Sequence, residues 1–402
     1  MVVGLSGWAT LVVVARTTGP ASYAYFSVIW GLYFSTIGLM SGLQHEAGNV
    51  VPVAEAPSRR KMPLVVSALA GVGAAVAVLA MATAGLWTPP IFDRSDLGVA
   101  VILAVGVVIY CVYAAILGGL AQAGEWRSYA WLAATDASTR LALVAGGSLL
   151  GWGAHGLAGA LVLAPASWLL YLAAPAVRAS ARSRLLVSLS GFLHRMWLTM
   201  ATTGANALLT VGFPVMVSAS SARPLDAHDG VALAAIALTR APLLVPLGIF
   251  QTLIIGSLSR QPGLLRSVLV KGTFILLAVT IAFGALTLAV GPPLFEAVLG
   301  DTFRLPAWTL TFLVVSSLPT AVLVVTGSCL IALKRQASSA AGWLLAVIVT
   351  FCALRIDVDL ASRAPVAITL GAAAGIAAHV LALSKARTNI KSQLETASRF
   401  VE

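Results

Sequence analysis

Long runs of apolar residues, separated by short polar segments, occupy almost the whole chain. A run of about 20 apolar residues is long enough to cross a bilayer as a helix. The pattern predicts about twelve such spans, near residues 1–15, 21–43, 63–87, 97–121, 129–150, 154–176, 197–220, 231–257, 268–291, 306–332, 338–354 and 365–384. Strands of a membrane barrel alternate apolar and polar positions over about 10 residues, so these continuous runs predict helices.

The composition supports a membrane protein. Hydrophobic residues make up 59% of the chain and charged residues 10%, whereas soluble domains carry about 25% charged residues. The net charge of +11 would suit a nucleic-acid partner if the basic residues were clustered. Instead, most of them lie in every second connection, and the acidic residues favour the opposite set. The positive-inside rule therefore predicts that both termini are cytoplasmic, and no nucleic-acid partner is required.

The longest basic connection, 177–196, divides the predicted spans six and six. We therefore expect an N-terminal lobe over 1–176, a cytoplasmic linker over 177–196, a C-terminal lobe over 197–384 and a cytoplasmic tail over 385–402. The linker contains a weakly amphipathic piece, 185–192, that suits the membrane surface. Two six-helix lobes are typical of secondary transporters.

The stretch 231–257 has one formal charge, Arg240, near its middle, followed by Pro242 and Pro246. An arginine at membrane depth costs about 2.5–3.5 kcal/mol on insertion scales, and such residues usually face a polar interior. Proline removes a backbone donor and favours a kink. The pattern predicts a substrate-binding arginine in a bent helix; the structural alternative is a buried arginine paired with a carboxylate.

The fifth predicted span contains Asp136 and Arg140, four residues apart, so one helical face carries both. One interpretation is a self-neutralising pair that lowers the cost of insertion. The other follows from depth, because Arg140 and Arg240 each lie about ten residues into their spans, or roughly 15 Å. Two guanidinium groups near the midplane, one in each lobe, would suit an anionic substrate such as a phosphate.

Other side chains could line a substrate path. Thr203 and Asn206 belong to a polar stripe on the seventh span, which suits either a hydrophilic cavity or interhelical hydrogen bonds. Trp30 and Tyr33 lie on an aromatic face of the second span and could stack on sugar rings or pack against helices. Arg16 and Glu46 flank the first two spans and are candidate gating residues; interfacial anchoring is the alternative reading.

No catalytic or metal-binding set is recognisable. The three cysteines lie at unrelated spacings, and no histidine has an acid or cysteine at ligand spacing. A Walker-type phosphate loop is absent, and the acids lie mostly in short outer loops, as solvated residues do. We therefore expect neither an enzyme nor a cofactor.

Four segments resemble the polysaccharide flippase branch of the multidrug/oligosaccharidyl-lipid/polysaccharide exporter superfamily. They are a helix ending in Ala15-Arg16 before a Gly19-Pro20 turn, with a Gly-Leu-Gln-x-Glu run ending at Glu46; the turn within 117–143; the Arg240-x-Pro242 helix of 238–260; and the Gly300-Asp301-x-Phe303 turn within 292–306. The resemblance implies an all-α polytopic membrane protein with MATE-like exporter architecture. It also implies export of lipid-linked sugars by alternating access.

The sequence thus predicts a flippase for an anionic lipid-linked saccharide in a bacterial plasma membrane, with Arg140 and Arg240 on the substrate. Its expected partners are membrane lipids and this substrate; a polysaccharide polymerase and glycosyltransferases are further candidates. The first alternative is a cation-coupled multidrug antiporter, which needs an available membrane carboxylate, and Arg140 competes for Asp136. The second is a non-transporting membrane component of a polysaccharide-biosynthesis complex.

Overall fold

The computed structural model of the protein describes residues 2–48, 64–183 and 189–399, which fold almost entirely into helices. The helices are α1 (Val2–Gly48), α2 (Val65–Ala82), α3 (Ala84–Phe92), α4 (Leu97–Gln122), α5 (Trp126–Leu149), α6 (Ala154–Leu163), α7 (Pro175–Ala181), α8 (Leu189–Thr210), α9 (Phe213–Ser220), α10 (Ala227–Arg260), α11 (Leu265–Leu299), α12 (Ala307–Ala332), α13 (Gln336–Ala353) and α14 (Leu360–Arg399). Short 3₁₀ segments follow α6 and α10. The predicted all-α fold is confirmed.

The number of spans differs from the predicted twelve. In the described ranges, nine helices are long and apolar enough to cross a membrane, and the pair α8–α9, bent by 75°, gives up to ten. Two features account for the difference. Helix α1 counts once although it contains two predicted spans, and α5 is not among the nine because Asp136, Arg140 and other polar residues lower its hydropathy. The twelve-span count and the orientation stay predictions.

A kink divides α1 where the sequence predicted a turn. Gly19 has a φ of 76°, a conformation that residues with a Cβ rarely adopt, and Pro20 follows it without a backbone N–H. The two parts of α1 therefore end and begin at this Gly-Pro pair.

Two compact units divide the chain. The first comprises Met1–Leu238 and Pro292–Leu305, and the second comprises Thr239–Gly291 and Pro306–Glu402. Helices α10 and α11 thus each contribute residues to both units. The predicted lobes 1–176 and 197–384 stay a prediction, and residues 184–188 of the linker between them lie outside the described ranges.

Small residues bring helices together in the first unit. A Cβ on Gly38 of α1 would lie 2.1 Å from the Cβ of Ala207 of α8, and a Cβ on Gly42 would lie 2.9 Å from the backbone nitrogen of Met200. Only glycine permits this approach of the two backbones. Lipid tails are as apolar as the side chains, so close van der Waals packing of this kind drives helix association in membranes.

The second unit uses the same device between α13 and α14. A Cβ on Gly375 would lie 2.7 Å from the carbonyl oxygen of Gly342, and a Cβ on Gly371 would lie 1.9 Å from Oγ1 of Thr350. Helix α12 packs on both of these helices. The three helices therefore form one tight bundle.

The segment Pro292–Leu305, which follows α10 in the chain, completes the first unit. The Arg16 guanidinium donates a hydrogen bond to the carbonyl oxygen of Ala297, near the end of α11. The ring of Phe303, which is fully buried, meets the ring of Tyr23 edge-on at 6.0 Å. The segment Pro292–Leu305 is thereby fixed to α1 on both sides of its kink.

Candidate functional site

A buried ion pair lies inside the first unit. The Arg140 guanidinium donates a hydrogen bond to Oδ2 of Asp136, one turn earlier on α5, and both residues are 5% exposed. This confirms the pairing expected from their spacing. A pair of this kind greatly reduces the cost of placing either charge among apolar helices.

An aromatic cluster of α1 lies beside this pair. The centre of the Arg140 guanidinium lies 5.0 Å from the centroid of the Phe34 ring, within cation–π distance. The Trp30 ring lies 4.5 Å from Phe34, and Tyr33 is fully buried beside the same ring. Trp30 and Tyr33 therefore pack in the interior of the first unit, close to the predicted ionic residues.

The pair and its surroundings retain unused hydrogen-bonding capacity. Oδ1 of Asp136, Nε of Arg140 and the Tyr33 hydroxyl have no hydrogen-bond partner among the described residues. Buried polar atoms without partners are uncommon and call for an explanation. A water molecule, or a polar group of a substrate, would satisfy such an atom.

Arg240 lies in the second unit, on α10, and is 4% exposed. Pro242 follows two residues later inside the helix and supplies no N–H to it; the predicted bend of this helix stays a prediction. The crossing of α10 from the first to the second unit, between Leu238 and Thr239, directly precedes Arg240. The arginine is thus buried near the middle of α10.

The polar stripe on α8 is partly engaged with its own helix. The Thr203 hydroxyl donates to the carbonyl oxygen of Thr199 at 2.9 Å, and the Thr210 hydroxyl donates to that of Asn206 at 2.8 Å. Thr203 and Asn206 are half-buried. Hydroxyls that bond to the preceding turn no longer need an external partner, which favours a structural role for the threonines.

The two candidate gating residues differ in what can be described. Arg16 is exposed and holds the carbonyl oxygen of Ala297, a contact that the sequence did not predict. Glu46 lies in the last turn of α1, and its side chain lies outside the described part of the chain.

Sequence reasoning missed a polar cluster at the start of α4. Asp96 accepts hydrogen bonds from the Tyr25 hydroxyl, from Nε2 of His155 at 3.0 Å and from the Val99 N–H at 3.0 Å. The sequence analysis placed the acids mostly among solvated loop residues and found no acid at ligand spacing from any histidine. The solvated pattern does not hold for Asp96, which is buried, and no spacing rule could find its partners, because Tyr25 and His155 are 71 and 59 residues away in sequence and meet it only through packing.

A second missed cluster involves His379 of α14, which is fully buried. Its Nε2 donates to the carbonyl oxygen of Ser339 on α13 at 3.1 Å, and its Nδ1 lies 2.9 Å from the Thr326 hydroxyl on α12. Glycine at 342 makes room for the imidazole, since a Cβ there would lie 2.2 Å from the ring. The histidine therefore links the three helices of the bundle. Within the described ranges, no three His, Cys, Asp or Glu residues are grouped to hold a metal ion.

Asp96 gives the protein a predicted acid sensitivity. Burial acts to raise the pKa of Asp96, but hydrogen bonds from Tyr25, His155 and Val99 outweigh burial and hold it at about 2, against 3.8 ordinarily. A carboxyl with a lowered pKa stabilises the fold above its ordinary pKa, and this contribution is lost as pH falls through the lowered value. We expect the thermal midpoint of the wild type to fall between about pH 4 and 2, and that of Asp96→Asn to be lower at pH 7 and flatter over this range. The exposed Asp301→Asn is the control and should follow the wild-type curve; a wild-type curve for Asp96→Asn as well would contradict the prediction.

No protein-family model matches the chain. The chain is 30% identical to the uncharacterized protein Rv3630 of Mycobacterium tuberculosis over 392 residues, which cover 96% of this chain and 90% of the relative. It is 31% identical to the uncharacterized protein Rv1510 of the same species over 379 residues, covering 92% and 86% of the two chains.

Among solved structures, similarity is found to an inward-facing multidrug resistance MATE family transporter of the MOP superfamily. The TM-score is 0.71 at 13% identity, with 98% of this chain and 96% of the other covered. The lipid II flippase MurJ, in an inward closed conformation, is similar with a TM-score of 0.68 at 14% identity, covering 96% and 86%. The expected MATE-like exporter architecture is therefore confirmed.

Proposed function

Because this chain belongs to one family with Rv3630 and Rv1510 of Mycobacterium tuberculosis and has the MATE and MurJ fold, we propose that it is a membrane flippase. Its substrate is an anionic lipid-linked saccharide, which it moves from the cytoplasmic to the outer leaflet of a bacterial plasma membrane. The finer assignment, to the polysaccharide flippase branch, is part of this proposal. Lipids and the saccharide substrate are its partners, and a polymerase and glycosyltransferases act on either side of the transport step.

The observation that supports the proposal most is the pair of arginines buried in apolar helices. Arg140 and Arg240 are 5% and 4% exposed. A membrane arginine is costly, and its guanidinium fork matches phosphate oxygens in bidentate fashion. Arg140 also has an Nε without a hydrogen-bond partner among the described residues, so part of its fork is available to a ligand.

In the proposed mechanism, the phosphate group of the substrate binds arginine while the lipid tail remains in the bilayer. Alternating access then exposes the head group to the other side. An inside-negative potential favours outward movement of negative charge by about 2.3 kcal/mol per charge per 100 mV. The potential can therefore contribute to the driving force without a coupling ion.

A cation-coupled multidrug antiporter is the second candidate, and the fold favours it as much as the first. The MATE transporter is matched with a TM-score of 0.71 and MurJ with 0.68, a difference too small to decide between them. The Asp136–Arg140 pair argues against it, because an arginine already neutralises the carboxylate that a coupling cation would need. A non-transporting component of a polysaccharide-biosynthesis complex is the third candidate. This function would not explain why two arginines are buried in apolar helices.

The test is a flipping assay in proteoliposomes that contain a polyprenyl-diphosphate-linked sugar with a fluorescent label on the sugar. An impermeant reductant quenches only the outer leaflet, so flipping increases the quenched fraction above about half. We expect the wild type to flip the lipid and Arg240→Gln to lose at least tenfold in rate, because Gln offers no bidentate charged fork. Arg260→Gln, at the exposed end of the same helix, is the matched control and should retain the rate.

Two results would overturn the proposal. One is a wild-type rate for Arg240→Gln with correctly folded protein by size-exclusion chromatography. The other is a wild type that moves no lipid but transports ethidium in exchange for protons that flow down their gradient. That result would support the antiporter.

A further inference from the structure

A cavity of about 150 Å³ opens in the first unit where α3 ends and α9 leads into α10. Its walls include two aromatic rings, two consecutive prolines and one residue of each charge. These are Tyr25, Pro89, Pro90, Phe92, Asp93 and Arg223. The pocket is separate from the Asp136–Arg140 pair, none of whose residues line it.

The aromatic wall is held in place by the cluster around Asp96. The Tyr25 hydroxyl is fixed on that carboxylate, which His155 also binds, and the Tyr25 and Phe92 rings lie 5.3 Å apart. Phe92 is 9% exposed, and the Ser218 hydroxyl donates to the carbonyl oxygen of Ile91 beside it. The pocket is therefore preformed, so a ligand would not have to order its walls.

The charges of the pocket disfavour an anionic ligand. Nη1 of Arg223 lies 3.0 Å from Asp226 and 2.8 Å from Asp229, whose side chain is 4% exposed. Arg223 is the one cation among the described residues that line the pocket, and two carboxylates neutralise it. Asp93 adds an exposed carboxylate at the rim, which accepts hydrogen bonds and repels phosphate.

From these features we propose that this pocket binds one neutral sugar ring of the substrate. The C–H face of a sugar carries partial positive charge and suits the negative face of an aromatic ring. Carboxylate oxygens at the edge of such a stack accept hydrogen bonds from sugar hydroxyls. This inference rests on the proposed function and adds a subsite to it: a buried arginine takes the phosphate, and the Tyr25–Phe92 pocket takes the saccharide.

Binding can be measured without transport. The probe is a mixture of methyl α-glucopyranoside, methyl α-galactopyranoside and methyl α-mannopyranoside, observed by saturation-transfer difference NMR. The protein is held in a detergent without a sugar head group, since a maltoside would compete for the pocket. We expect saturation transfer from the wild-type protein to at least one glycoside.

Two pocket variants and one control make the result specific. Phe92→Ala removes one aromatic wall, and Ala222→Trp fills the pocket from an exposed position at its edge. Both are expected to lower the glycoside signal at least fivefold. Phe274→Ala removes an exposed phenylalanine of α11 and should leave the signal unchanged. Ala222 is exposed, so Ala222→Trp removes no packed side chain and remains informative if Phe92→Ala does not fold.

The pocket inference is overturned if no glycoside shows saturation transfer from the wild type. It is also overturned if Ala222→Trp, correctly folded, keeps the full signal. The proposed function is tested separately by the flipping assay. If the protein binds glycosides but moves no lipid, the pocket inference stands and the flippase proposal fails.

Discussion

Asp136→Asn is expected to lower the free energy of unfolding more than Arg140→Gln, and the double variant Asp136→Asn/Arg140→Gln less than either. Removing one partner of a buried ion pair leaves an uncompensated charge and costs about 3–5 kcal/mol. The two single variants differ because a lone carboxylate can take up a proton, whereas a guanidinium cannot release one. Unfolding of the detergent-solubilised variants, followed by circular dichroism, measures this order.

The double variant also separates a structural role from a functional one. It removes both charges but keeps two amides of similar size on one face of α5. If Arg140 only stabilises α5 in the membrane, the folded double variant will flip lipid at the wild-type rate. The flippase proposal expects the flipping rate of the double variant to fall at least tenfold despite its stability. A wild-type rate would show that Arg140 does not bind the substrate.

Gly230→Ala is expected to destabilise the protein by about 3 kcal/mol, at the upper end of the cost of overpacking. A Cβ on Gly230 would lie 1.9 Å from the carbonyl oxygen of Pro20 and 2.7 Å from its carbon. Both atoms belong to the backbone at the kink of α1, so no side chain can move aside. The first turn of α10 would have to shift, and Arg240 lies on the same helix.

The matched control for this variant is Gly256→Ala, near the other end of α10. No atom lies within 4 Å of a Cβ there, and alanine is favoured over glycine in a helix by about 1 kcal/mol. Its thermal midpoint should equal or exceed that of the wild type. Equal midpoints for Gly230→Ala and the wild type would contradict the close packing of α10 on α1.

The sequence predicted those features that depend on local spacing or on composition. Continuous apolar runs predicted helices, Gly19-Pro20 predicted the break in α1, and the four-residue step from Asp136 to Arg140 predicted their ion pair. In each case the cause lies within a few residues of its effect. The twelve-span count, the orientation and the functional roles of the predicted site residues stay predictions.

Features that depend on distant contacts could not be read in this way. Asp96 meets Tyr25 and His155 only after α1, α4 and α6 have packed, and no spacing rule connects them. His379 presented the same difficulty, since Thr326 and Ser339 lie on two other helices. In a single sequence, such a cluster is indicated only by a polar residue in an otherwise apolar run. This signal does not show which distant residues are its partners.

The first unit is built from two separate segments of the chain, which has a consequence for biosynthesis. A ribosome releases residues 1–238 into the membrane long before it reaches Pro292–Leu305, the last segment of that unit. Until then, Arg16 lacks the carbonyl oxygen of Ala297 and Tyr23 lacks the ring of Phe303. The first unit therefore cannot complete its packing before α10 and α11 have been inserted. A gene divided after residue 238 would yield an N-terminal fragment that lacks these two contacts.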